Sequence, residues 1–210
     1  MRLIPPERFQ VRVRIANHHP VPAGQIYGPR TIPDLQFICP LRGRFTFHPQ
    51  DQPLIEVLPG AVLCIEPNVR HVFTAVETGE ITGLHVELSA GSWADGDYRS
   101  DPPPPMISRP ADPTALSSEF LRCAAIYQGY SRLRQARCDA LATGILLALA
   151  EGWQATASPA TSARLTAMVA FIRQHAVRGC SRHQLARAFA VTPEHINALF
   201  KRALGLTPTE

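Results

Sequence analysis

Apolar side chains recur at two different spacings along this chain, and the change of spacing divides it. Up to about residue 100 the period is two. In VRVRI, Val11, Val13 and Ile15 alternate with Arg12 and Arg14, as in a half-buried strand. LQFICPL puts Leu35, Phe37, Cys39 and Leu41 on one face. RGRFTFHP continues after a glycine and stops at Pro49. LIEVLPGAVLCIEP reads as two strands broken by a Pro-Gly turn, and GLHVEL sets Leu84, Val86 and Leu88 against His85 and Glu87. Many short strands at such spacing predict a barrel or sandwich, here an all-β barrel over residues 5–100.

The texture changes at DPPPPMISRPADP. Four successive prolines neither continue a sheet nor enter a helix interior, so the segment is expected to be a stiff connector. From Thr114 to about Trp153 the spacing turns to three and four. Leu116, Phe120, Leu121, Ala124 and Tyr127 share one stripe, and Leu133, Ala136, Ala140, Leu141, Ile145 and Leu149 share another. Two long helices follow from this, with more apolar surface than one packing face needs (Leu146 and Leu147 included). A partner helix in a homodimer is one way to cover it, and the barrel is another. QATASPATSA reads as a small-residue linker. RLTAMVAFIRQHA, SRHQLARAFA and TPEHINALFKRAL then give three helical patterns with short gaps, and there is no internal repeat.

Charge sharpens the division. Residues 160–210 hold 7 Arg and Lys against 2 Glu, whereas the first 159 residues hold 14 basic against 15 acidic. The whole chain is +4 with a sequence pI near 9.0. A basic excess confined to the terminal segment suggests a polyanion-facing module. The five cysteines (Cys39, Cys64, Cys123, Cys138 and Cys180) show no C-x-x-C pair, as expected of reduced, buried thiols in a cytosol. MRLIPPERFQ has no apolar signal core, and the longest apolar run, ALATGILLALA, is too short to span a bilayer, so a soluble cytoplasmic protein is expected.

In the terminal segment Ser181 stands three residues before Gln184, a capping box, and Leu185, Ala186 and Phe189 share a face. Thr192 caps the next helix with Pro193 at its first turn, and Ile196, Leu199 and Phe200 form its stripe. Glu194, Ala198 and Lys201 point away from that stripe, flanked by Asn197 and Arg202. A plain helical hairpin shows the same stripe. Caps, turn spacing and basic charge together predict a helix-turn-helix whose second helix presents a polar face to a major groove. The DNA-facing candidates are Ser181, Glu194, His195, Asn197, Lys201 and Arg202. Lys201 and Arg202 suit phosphates, Asn197 an adenine edge, and Glu194 a cytosine amine.

LARAFAVTPEHINALFKRALGLTP and the preceding LTAMVAFIRQHA resemble the first helix-turn-helix of AraC-type transcription regulators. GPRTIPDLQFICPLRGRFTF, VLPGAVLCIEPNVRH and GLHVELSAGSW are similar to that family's sensor barrel. The resemblance implies an α+β chain in three parts: a cupin-like effector-sensing barrel over residues 1–105, a helical linker and dimerisation region over 106–155, and a partial DNA-binding domain over 160–210. Three features depart from the family pattern: Ala190 stands where the turn often has Gly, Ala198 stands where a longer polar reader is common, and the sequence stops after GLTPTE. The chain is therefore expected to lack the second helix-turn-helix and to bind DNA weakly.

The expected sensing pocket holds Tyr27, Arg30, Phe37, Phe45, His71 and His85, with Arg30 and His71 suited to an anionic or hydroxylated effector. No catalytic residue, metal or cofactor is expected. FICPLRGRFTFH carries no H-x-H pair, His71 and His85 belong to no shared metal motif, and the neighbours His18 and His19 point to opposite faces of a strand. Two alternatives remain: a sensor or dimerising partner that does not bind DNA, and a cupin-fold enzyme.

Overall fold

The computed structural model describes residues 2–89, 98–157, 159–175, 182–204 and 207–208. The chain forms two compact units, residues 1–153 and 154–210. In the first, eleven strands are described: β1 (Arg2–Ile4), β2 (Gln10–Val21), β3 (Ile26–Arg30), β4 (Leu35–Arg42), β5 (Phe45–Pro49), β6 (Ile55–Val57), β7 (Val62–Ile65), β8 (His71–Ala75), β9 (Gly79–Ser89), β10 (Tyr98–Ser100) and β11 (Ile107–Ser108). They build a five-stranded sheet in the order β11-β7-β4-β9-β2 and a four-stranded sheet in the order β3-β8-β5-β6, both antiparallel, with β1 and β10 as a small parallel pair. The Pro59-Gly60 turn passes the chain from β6 in one sheet to β7 in the other.

Side-chain alternation on β4 and β9 sends residues into two separate cores. Ile38, Leu63, Ile65 and Ile81 of the larger sheet meet Phe45, Phe47, Phe73 and Ala75 of the smaller one, and this is the barrel interior. Leu35, Phe37, Cys39, Leu84 and Val86 point the other way. They pack against the helices α1 (Pro113–Gln128) and α2 (Arg134–Ala157) through Leu116, Phe120, Ile145, Leu146 and Leu149. The surplus apolar residues of these helices are thus largely covered by the sheet. Leu133 at 65% and Leu147 at 38% exposure are left outside.

Two expectations are corrected in this unit. Ile15, expected inside with Val11 and Val13, is 43% exposed, and Ala16 is buried in its place. The cause is a bulge between Val13 and Ile15 that shifts the alternation by one residue. The helices satisfy the backbone groups this leaves over. Asp139 Oδ1 accepts from the Val13 N–H (2.8 Å), Gln135 Nε2 donates to the Val13 carbonyl (2.9 Å), and the Tyr127 hydroxyl donates to the Arg14 carbonyl (2.6 Å). The proline-rich connector also carries a short strand. β11 adds to the edge of β7, and Trp153 Nε1 donates to Ser108 Oγ at 2.8 Å.

The second unit holds α3 (Pro159–His175), α4 (Arg182–Ala188) and α5 (Pro193–Leu204). The expected linker at 154–163 is instead helical at 154–157 and from Pro159 onward. Alanine-rich sequence favours helix, and proline is tolerated at a first helical position. Met168, Leu185, Ala186, Ile196, Leu199 and Phe200 form this unit's core, with Phe171 edge-on to Phe189 at 5.8 Å. Leu199, in the expected stripe of α5, is buried at 5% exposure. Thr192 Oγ1 accepts from the His195 N–H at 3.2 Å, the expected cap on α5. Ser181 and Cys180 lie outside the described residues. Among the described residues, no helix is long and apolar enough to cross a membrane.

Between α4 and α5, Ala190 has φ +50°. Its Cβ crowds the backbone there, at a cost of roughly 1–2 kcal/mol for an L-residue. Glycine relieves the crowding but gains freedom in the unfolded chain, worth about 0.4–1 kcal/mol. Ala190→Gly is therefore expected to stabilise residues 154–210 by about 0.5–1 kcal/mol, read as a higher urea midpoint for the far-ultraviolet signal. A lower midpoint would contradict the strain.

Candidate functional site

The barrel interior is apolar at one end and polar at the other. At the apolar end Phe45 stacks on Phe73 (5.3 Å, 9° between planes), near Val57, Ala75 and Val21. At the polar end β3 runs beside β8 with its own irregularity between Tyr27 and Arg30. Gly28 makes this possible. It has φ +116°, and a Cβ there would lie 2.5 Å from the His71 carbonyl oxygen. The close approach sets Arg30 opposite His71 and Tyr27 opposite Phe73.

Arg30 Nε donates to His71 Nε2 at 3.4 Å, and its guanidinium lies 5.7 Å from the centre of the Tyr27 ring. His71 Nδ1 is 2.8 Å from the Val69 carbonyl oxygen, so Nδ1 carries the proton and Nε2 faces Arg30 as acceptor. The His71 ring sits 5.4 Å from that of Phe47. Tyr27 reaches His19, with Nε2 and the hydroxyl 3.3 Å apart. On the facing sheet His85 Nδ1 is 2.9 Å from Asp34 Oδ1, both buried. Gln36 is the cross-strand neighbour of His85 and is 5% exposed. Its Oε1 has no hydrogen-bond partner among the described residues.

The electrostatics follow from burial. Burial pushes the Arg30 and His19 pKa values down, with the His18 charge adding to the second. Burial also lowers His71, helped by the charges of Arg30 and His85 and opposed by the bond to Val69. No described carboxylate forms an ion pair with Arg30. This end of the barrel therefore offers a desolvated cation, an orphan acceptor, neutral imidazoles and aromatic walls. Such a set can orient a small polar molecule. Among the described residues, no three His, Cys, Asp or Glu side chains are placed to hold a metal ion.

Of the six pocket candidates, Tyr27, Arg30, His71 and His85 come together here. Phe45 faces the interior from the apolar end. Phe37 requires a correction: it stands on the opposite face of β4, packed toward the helices with Phe120 and Leu146, because alternation reverses the direction from Gln36. Asp34, Gln36 and His19 were not among the candidates. Gln36 carried a signal, a lone amide inside the apolar run LQFICPL. A cavity of about 350 Å³ lies outside the barrel, where Cys39, Pro59, Gly60, Pro113 and Leu116 meet, and no charged side chain lines it.

In the second unit Glu194 and His195 are exposed on the first turn of α5, and Asn197 is half-buried. Arg187 and His183 are exposed on α4. The backbone of Lys201 and Arg202 belongs to α5, but their side chains lie outside the described part, as does Ser181.

No protein-family model matches this sequence, and no curated protein matches it. Solved structures with a partly similar backbone include a cupin superfamily protein from Desulfitobacterium hafniense, at 16% identity and TM-score 0.33 over 36% of this chain and 67% of that one. An RmlC-like cupin family protein with a double-stranded β-helix fold from Methanocaldococcus jannaschii gives 16% and 0.31 over 36% and 69%. Oxalate decarboxylase from Bacillus subtilis gives 13% and 0.31 over 33% of this chain and 20% of its own. The barrel described above rests on its own sheet order and its two cores.

The lowered pKa of His71 gives a testable pH dependence. As pH falls below about 6.5, the unfolded chain takes up the proton before the folded one. The stability contributed by the neutral ring is therefore intact at pH 8 and declines from about pH 6.5 downward. His71→Gln is expected to shrink the difference in urea midpoint between pH 8 and pH 5.5. An unchanged difference would show that this ring is not held neutral by the fold.

Proposed function

We propose that the chain is a small-molecule sensor whose second unit contacts DNA, a transcription regulator of the AraC type. The observation that carries this reading is the α4–α5 pair. Its two short helices are joined by residues 189–192, with Ala190 left-handed and Thr192 as a cap. Leu185, Ala186, Ile196, Leu199 and Phe200 are inside, while Arg187, Glu194 and His195 are outside. An exposed polar face on a helix held this way suits a major groove. The basic excess of residues 160–210 suits the phosphates beside it. In this reading Ser181, Glu194, His195, Asn197, Lys201 and Arg202 are the DNA-facing set. The polar end of the barrel, with Tyr27, Arg30, His71 and His85, receives the effector.

One such module makes a small interface, so binding is expected to be roughly micromolar, salt-sensitive and mostly sequence-independent. In fluorescence anisotropy with duplex DNA across a salt series, Lys201→Ala with Arg202→Ala should weaken binding uniformly and lower the salt slope by about 2. Asn197→Ala should change little. No binding at low salt would favour a sensor that does not touch DNA. Nanomolar, sequence-specific binding would show that a single helix pair suffices.

Leu133, just before α2, and Leu147 on it lie exposed, and we assign them to a homodimer contact between two copies. A second copy would also tether two DNA-contacting units at high effective concentration. Light scattering is expected to give a dimer at micromolar protein and a monomer for Leu133→Glu with Leu147→Glu. A wild-type monomer would remove the assignment.

A further inference from the structure

The polar end of the barrel carries a mismatch that the fold does not resolve. Arg30 is a half-buried cation with no carboxylate paired to it among the described residues; its neighbours are a ring nitrogen of His71 and the face of Tyr27. Gln36 is almost fully buried on the interior face of β4, and its carbonyl oxygen meets no donor. A buried acceptor left unpaired is unfavourable, and folded proteins rarely keep one without a use for it. The nearby carboxylate of Asp34 is committed to His85. The imidazole of His71 donates its Nδ1 proton to Val69 and so supplies no donor toward Gln36. What is missing is an anion for the guanidinium and a hydrogen-bond donor for the amide oxygen. Aromatic rings flank this group: Tyr27 lies under the Arg30 guanidinium and beside Phe73, and Phe47 lies beside His71.

From these three observations we infer that the barrel binds a small organic carboxylate that also carries a hydroxyl, on an aromatic or similarly flat apolar body. The carboxylate sits on Arg30, the hydroxyl donates to Gln36 Oε1, and the body lies against Phe47 and Phe73. This rests on reading the barrel as a sensor and narrows it to one chemical class. A plain sugar or polyol would leave the cation without its counter-charge. A plain carboxylate would leave the amide oxygen unpaired. A cation would be repelled by Arg30. Guanidinium groups bind carboxylates through paired, charge-assisted bonds, and a site built around a hydroxyl rejects the analogue that lacks it.

The test uses the full chain and three matched probes: mandelate, phenylacetate (no hydroxyl) and 1-phenylethane-1,2-diol (no carboxylate). Calorimetry is expected to show mandelate binding about ten-fold or more tightly than either relative. Arg30→Gln should erase the preference over the diol. Gln36→Met should erase the preference over phenylacetate while leaving the thermal midpoint equal or higher, because an unpaired buried oxygen is removed. A merely structural Gln36 would instead lower the midpoint and leave the preference intact, which would overturn the assignment. Equal binding of the diol and mandelate keeps the sensor and overturns the carboxylate. Binding of none of the three overturns the inference, and the DNA measurements then judge the regulator reading separately.

Discussion

Strand β4 is buried on both faces along Leu35–Pro40, and the first unit is organised around that double burial. One set of side chains, Leu35, Phe37 and Cys39, must meet helices. The other, Gln36 and Ile38, must meet the opposing sheet. A slip of one residue would exchange the two sets, pushing Phe37 into the barrel and Gln36 against the apolar helices, so the register is strongly specified. The pairing with β9 carries the same logic to the next strand. There Leu84 and Val86 go to the helices, and His85 goes inside beside Gln36. The position of the candidate site is thus a by-product of how the central sheet divides its side chains.

The interior that results is graded. Phe45, Val57, Ala75 and Val21 close one end, and Tyr27, Arg30, His71, His85 and Gln36 gather toward the other. Water-excluding walls make a charge more demanding of a partner, which is why burial lowers both Arg30 and His71. The apolar end supplies close packing, through the stacked rings of Phe45 and Phe73. The polar end supplies discrimination. Separating the two along one axis lets the barrel keep a well-packed core while leaving a few groups unmatched.

Much of this was legible in the sequence, for a physical reason in each case. Period-two alternation announced β2, β4, β5 and β9, the three-and-four spacing announced α1 and α2, and Thr192-Pro193 announced the start of α5. Arg30, His71, Tyr27 and His85 stood out as polar groups among strands. Two of the failures share another cause: each depended on a neighbour that no local pattern names. The bulge at Val13–Ile15 exists because helices supply partners for its backbone, and it turned Ile15 outward. Phe37 and Gln36 are adjacent, and only the location of the helices decides which one faces the barrel interior. The segment at 154–163 looked like a linker from its small residues, although alanine's low entropic cost makes the same residues good helix formers.

The bulge on β2 has a consequence for association. β2 is the outermost strand of the larger sheet, and an outer strand's unpaired amides and carbonyls are a template on which another chain's strand can pair. At Val13 both groups on that side are already taken, the N–H by Asp139 and the carbonyl by Gln135, and the next carbonyl is taken by Tyr127. Along this stretch the helices act as a guard rail. A foreign strand pairing at Val13 and Arg14 would have to displace these three hydrogen bonds, which disfavours ribbon-like growth through this part of the border.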